Sequence, residues 1–238
     1  MKHSLSICYI IIIILITSCL SYAQEERVLF SEPFNDLDNW EPLYFKKIKE
    51  HTTYSIIKDG DQSYLRAESN ASASGIVCKN EFNMIEHPHM RWRWKINNVY
   101  KKGDAATREG DDYPIRLYVM FKYDPDKASF GKKFKYGLAK KMYGTYPPQS
   151  TLNYIWANRK HEGNVVTSPY AKESKLVILQ SGPESAGTWI IEDVNIIDDY
   201  RRIFGTDPPE QASIAIMNDS DNTGESSVSY MDYIEVYK

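Results

Sequence analysis

Cysteine is scarce: three in 238 residues, and Cys8 and Cys19 both lie in the N-terminal leader, leaving Cys78 alone in the remainder. A disulfide framework is therefore excluded, and stability has to come from a packed core, which a domain of this size can supply. Cys78, inside Ser74-Gly75-Ile76-Val77-Cys78, is expected to fill core space rather than react. An excess of basic charge is also lacking. Lys plus Arg number 29 against 32 for Asp plus Glu, a net charge of −3, without the positive surplus of a dedicated nucleic-acid binder. Gly and Pro together make up 23 residues, too few for a collagenous or low-complexity chain. There is no Gly-rich phosphate loop, no Gly-x-Ser-x-Gly elbow and no Cys/His pairing for a nucleophile, and His87-Pro88-His89 finds no further ligands at zinc spacing.

What is present begins with the leader. Lys2 precedes an apolar run, Ile10 to Ile16, too short to span a bilayer, followed by small and polar residues. The pattern predicts a signal peptide over residues 1–23 and a single domain over 24–238, exported to the periplasm or medium. Ser21-Tyr22-Ala23 fits ordinary cleavage before Gln24. Ile16-Thr17-Ser18-Cys19 fits the alternative, a lipoprotein anchored to the membrane through Cys19.

Beyond the leader, about ten short β-rich runs recur, among them Met90–Val99, Pro114–Tyr123, Leu152–Asn158, Ser213–Met217 and Ser227–Tyr237. Turn signals such as Asp59-Gly60-Asp61 separate them, a spacing that predicts an all-β, antiparallel sandwich of the jelly-roll kind. One short helix is expected over Val194–Phe204, where apolar residues recur at helical spacing and Gly205 supplies a stop. The connection from Asp124 to Ser150 reads as a long lysine-rich loop, a solvated collar or one that draws in an anionic substrate.

Period-two alternation assigns faces. Trp92, Trp94 and Ile96 share one side of their strand and read as core, leaving Arg91, Arg93 and Lys95 on the other. Ile115, Leu117, Val119 and Phe121 likewise leave Arg116, Tyr118 and Met120, while Ala215, Met217 and Asp219 oppose Ile214 and Ile216. The alternation in Leu152–Asn158 leaves the facing of Trp156 open. If the polar sides belong to one sheet, Arg93, Arg116, Tyr118, Asp219 and Trp156 line a surface suited to sugars, since aromatic faces stack on pyranose C–H groups and charged groups bond the hydroxyls. Asp111-Asp112-Tyr113-Pro114 before one strand and Asp219-Ser220-Asp221-Asn222-Thr223-Gly224 after another add carboxylates at the ends of that surface. They could bind hydroxyls or divide acid and base roles in a glycoside hydrolase, and the second turn could instead hold Ca²⁺ through its Asp and Asn oxygens or be a plain Asx-stabilised turn. A polysaccharide lyase would instead use Tyr118 for proton transfer, with Arg93 or Arg116 neutralising a uronate.

Trp92-Arg93-Trp94, Gly110-Asp111-Asp112-Tyr113-Pro114 with Arg116 and Tyr118, Tyr154-Ile155-Trp156, Phe204-Gly205 and Asp219-Ser220-Asp221-Asn222-Thr223 occur in an order that resembles the bacterial exported family called domain of unknown function 3047, from about Leu29 to Tyr237. That family implies an exported single domain and brings no assigned catalytic residues. A looser pattern, Phe30-Ser31-Glu32-Pro33-Phe34 with Trp40 near the start and Tyr230-Met231-Asp232-Tyr233-Ile234 near the end, is similar to jelly-roll carbohydrate-binding modules. By that analogy the terminal strands pair, and Glu32 and Asp232 become candidate ligands of a structural calcium. The expected partner is carbohydrate, either neutral or an acidic polysaccharide; a structural role in the cell envelope is a further alternative.

Overall fold

A computed structural model describes residues 27–143 and 146–238; residues 1–23, expected as a signal peptide, and Cys19 among them lie outside the described residues. Two sheets face each other. The first is ordered β11 (Ile190–Asn195), β6 (His89–Ile96), β13 (Ser226–Tyr237), β4 (Gln62–Asn70), β3 (Thr53–Asp59), and β1 (Val28–Glu32) also pairs with β13. The second runs β2 (Trp40–Leu43), β5 (Ala73–Asn83), β12 (Gln211–Asp219), β7 (Arg116–Phe121), β8 (Ser150–Ala157), β10 (Ser174–Ser181), β9 (Val165–Thr167). All pairings are antiparallel except β8 with β10, which are joined by a connection that includes β9. The fold is thus the expected all-β sandwich. Long β13 is shared along its length: its first half pairs with β4 and its last residues pair antiparallel with β1, as expected of the terminal strands.

The core fills the space between the sheets because both supply strict alternation. In β6 every second residue is buried, placing Met90, Trp92, Trp94 and Ile96 inward, and β7 answers with Leu117, Val119 and Phe121. Trp92 meets Trp94 edge-on with ring centres 5.4 Å apart, and Trp94 lies 6.1 Å from Trp156. Rings of this size dominate the buried apolar area. Trp156 donates to the Gly182 carbonyl at 3.1 Å and Trp94 to Glu192 at 3.2 Å, so these two indoles are buried with partners. Cys78 is free and buried, and burial pushes its thiol upward, in keeping with an inert filler.

Helix α2 (Ile196–Phe204) forms as its sequence predicts. Asn195 caps it by accepting the Asp198 N–H at 3.0 Å, and Gly205 ends it at φ 70°, sending its own N–H to Arg201. The 124–150 connection differs from expectation. It contains a second helix, α1 (Phe130–Tyr143), which the apolar-to-core pattern did not reveal because Tyr136 alone of its described side chains is buried. Strands β2, β9 and β11 also lie outside the β-rich runs of the sequence; β2 and β9 are only four and three residues long, and β11 carries Glu192 and Asp193 among its apolar residues.

Candidate functional site

The outer face of the second sheet is hollowed into a cleft of about 870 Å³. Its floor comes from adjacent strands in register: Met217 pairs with Arg116, and Tyr118 with Asn153, so alternate residues of β12, β7 and β8 point the same way. One wall is the 43–48 segment after β2, including Tyr44 and Phe45; the other is the 168–174 segment, including Tyr170. A smaller hollow of about 370 Å³ continues past Tyr118 to Met120, Pro147 and Pro148.

At the centre Arg116 is buried between two rings, its guanidinium carbon 5.0 Å from the Tyr113 ring centre and 5.4 Å from that of Tyr118. It forms an ion pair with Asp219 and lies 3.6 Å from Asp111, whose other oxygen accepts the Tyr113 hydroxyl at 3.0 Å. Backbone bonds clamp the floor to the entrance turn: Asp219 accepts the Tyr113 N–H at 3.3 Å through its side chain, and returns its own N–H to the Tyr113 carbonyl at 3.2 Å. Asp112 turns toward the 219–224 turn, accepting N–H groups of Asn222 at 3.3 Å and Thr223 at 2.6 Å. One carboxylate oxygen each from Asp112, Asp219 and Asp221 lie within 4.8 Å of one another.

Arg116 faces more carboxylates than it can neutralise. Burial, reinforced by neighbouring carboxylates, pushes Asp219 up against the pull of Arg116; Asp111 and Asp221 are also raised, chiefly by burial. Burial opposes the charge on Arg116, yet Asp219, Tyr118 and Asp111 hold it well above its ordinary range. Tyr118 is pushed up by burial more than Arg116 pulls it down, so its hydroxyl remains a donor rather than a base at neutral pH.

The structure brings Asp111, Asp112, Arg116, Tyr118, Asp219 and Asp221 together, and separates two others. Arg93 belongs to the first sheet, where it pairs with Asp232 at 2.5 Å and covers Trp189 at 4.9 Å on the opposite side of the sandwich. The two polar strand faces simply belong to different sheets. Trp156 points into the core, fully buried beside Trp94, because Ile155 takes the outward position. Glu32 and Asp232 each meet protein partners. Glu32 spends both oxygens on N–H donors, the Phe34 backbone at 2.8 Å, Asn39 at 3.1 Å and the Trp40 indole at 3.0 Å, while Asp232 serves Arg93. Glu32 is a buried latch for the first turn.

Residues outside any alternating run are the aromatic walls, Tyr44, Phe45 and Tyr170, while Asn153 lies in the one run whose facing the alternation leaves open. Tyr44 is 59% exposed and Tyr170 55%. Tyr170 is fixed nonetheless, accepting from Asn222 at 3.0 Å and donating to the Arg108 carbonyl at 3.3 Å. The signal available in the sequence was an aromatic pair set among lysines, Tyr44-Phe45-Lys46-Lys47, outside any core-like run.

Residues 38–235 match the family described as protein of unknown function (DUF3047). The chain belongs to that family. No protein of curated function matches it in sequence. Among solved structures it is similar to the family 11 carbohydrate-binding module from Clostridium thermocellum in complex with a β-1,3-1,4-mixed-linked tetrasaccharide (TM-score 0.43, 11% identity, 89% of this chain and 94% of the module covered). It is similar also to endoglucanase 3 of family GH12 from Trichoderma harzianum (0.41, 9%, 84% and 99%) and to a family 30 carbohydrate-binding module of a cellulosomal cellulase of C. thermocellum (0.38, 10%, 89% and 91%).

Proposed function

We propose that this protein of the DUF3047 family is an exported domain that binds carbohydrate chains in the cleft on its second sheet. The observation that carries this reading is the cleft's composition: a floor of oriented polar groups, Arg116, Tyr118, Asn153 and Asp219, between walls that expose Tyr44, Phe45 and Tyr170. A pyranose offers hydroxyls around its rim and C–H groups on its faces, and this arrangement supplies hydrogen-bonding groups below and rings at the sides. Fixed donors and acceptors also limit the ordering cost of binding. Lys47 in one wall is a cation that an acidic polysaccharide would meet there. Export rests on the leader over residues 1–23.

A binding role is favoured over a hydrolase by the commitment of Asp219 to Arg116. The test is retention of the protein on a panel of neutral and acidic polysaccharides, with product release followed in parallel. Retention without products, weakened at least about tenfold by Tyr44→Ala together with Tyr170→Ala while the folded spectrum persists, is expected from the loss of two stacking rings. Product formation would make the protein an enzyme. Absence of both binding and products would move the assignment to a structural role in the envelope.

A further inference from the structure

Helix α1 has an unusual surface. Its fourteen residues contain five lysines and no acidic residue, in a chain whose overall charge is −3. Its single buried described side chain, Tyr136, ties it to the body, stacking on Tyr123 with ring centres 3.9 Å apart and donating to the Gln149 carbonyl at 3.2 Å. Phe130, Phe134 and Leu138 follow at four-residue intervals, which places them on one stripe, and Tyr136 falls about half a turn from the middle of that stripe. The stripe therefore points away from the protein, and its residues are 88%, 66% and 50% exposed. Lys132, Lys133, Lys135, Lys140 and Lys141 are also exposed.

Three large apolar groups held outward on one helix, with Lys133 and Lys135 on their flanks and Lys141 among them, form a surface that water does not favour. We propose that α1 is an interfacial helix that seats the domain on membranes containing anionic phospholipid. Phe130, Phe134 and Leu138 enter the boundary between headgroups and acyl chains, and Lys133 and Lys141, at the edge of and within the stripe, meet the lipid phosphates. The charge argues for this occupant. A second copy of the helix would bring five lysines against five, and a hydrated polyanion would engage the lysines while leaving the apolar stripe in water. No described helix is long and apolar enough to cross a membrane, so α1 lies along the surface rather than through it. This inference rests on α1 and not on the carbohydrate reading.

The experiment compares the full chain with the variant Phe130→Ser, Phe134→Ser, Leu138→Ser and with Lys133→Gln, Lys141→Gln. Each is floated with vesicles of phosphatidylcholine alone and of phosphatidylcholine with phosphatidylglycerol. The leader is common to all three proteins, so the difference between them reports on α1. The native chain is expected to prefer the anionic vesicles, with binding weakened at least about tenfold in each variant and by added salt. Equal binding by native and serine variant overturns the proposal, as does absence of binding to anionic vesicles. A lysine-dependent retention on an acidic polysaccharide that the serine variant keeps would assign the helix to a polyanion instead. A serine-sensitive dimer in sedimentation, without vesicle binding, would assign it to self-association. Far-ultraviolet circular dichroism of both variants checks that the sandwich is intact; if either has lost it, the single changes Phe130→Ser and Lys141→Gln, both at exposed positions, carry the same comparison.

Discussion

Replacing Arg116 by Met tests the centre of the cleft most directly, since methionine keeps much of the side chain's bulk and removes its charge. Asp219, 2% exposed, and Asp111, 5% exposed, would then remain buried without their cation. Breaking a buried pair by removing one partner costs about 3–5 kcal/mol, because the surviving charge stays out of water. With a urea dependence of about 2 kcal/mol per molar, the unfolding midpoint should fall by roughly 1.5–2.5 M at unchanged slope. The deficit should also depend on pH. Without the cation the carboxyl of Asp219, already raised, rises further. A carboxyl raised in the folded state costs nothing while it is protonated in both states, and its penalty grows as pH climbs from the unfolded value through the folded one. The deficit is therefore smaller at about pH 5 than at about pH 8. Adding Asp219→Asn to Arg116→Met removes the orphaned charge while leaving an oxygen to accept the Tyr113 N–H, and should restore about 1–3 kcal/mol. A midpoint that does not move, or a double variant no more stable than the single one, would refute the description of Arg116 as the counterion of a buried carboxylate cluster.

Three further outcomes are expected. In the native protein the raised carboxyls of Asp111, Asp219 and Asp221 should make the urea midpoint higher on the mildly acidic side and lower as pH rises beyond it; a midpoint that climbs steadily toward alkaline pH would contradict this. Trp156→Ala should cost about 3–5 kcal/mol in denaturant unfolding, as an excavation of the core, and at temperatures where it remains folded its affinity for glycans should match the native protein. Gly103→Ala should be destabilised in thermal unfolding by about 1–3 kcal/mol, as for overpacking. Its new methyl would collide with the amide of Asn158 and stand 2.9 Å from that residue's Cβ, and Asn158 accepts the Tyr100 N–H at 2.8 Å and donates to the Asp112 carbonyl at 2.6 Å.

The sandwich, the cores of β6 and β7, the cap of α2 and half of the cleft floor were determined by local pattern alone. Alternation in Met90–Ile96 and Ile115–Phe121 fixes which side chains are buried whatever sheet each strand joins, because a strand's side chains must point to opposite sides. Asn195 and Gly205 act within one helical turn of the residues they cap, so their role is also local. The two sheets decided the rest. Arg93 and Arg116 occupy equivalent outward positions on their strands and look alike in sequence, yet strand order put them on opposite sides of the molecule. Trp156 and Ile155 are both apolar enough for the core, and the register of β8 against β7 chose Trp156, while loops covered Ile155. The cleft walls belong to residues 43–48 and 168–174, segments far apart in the chain that meet only because β2 and β10 lie on opposite sides of the same floor. No periodicity encodes such a meeting; it follows from strand order, which is set by the packing of the whole chain.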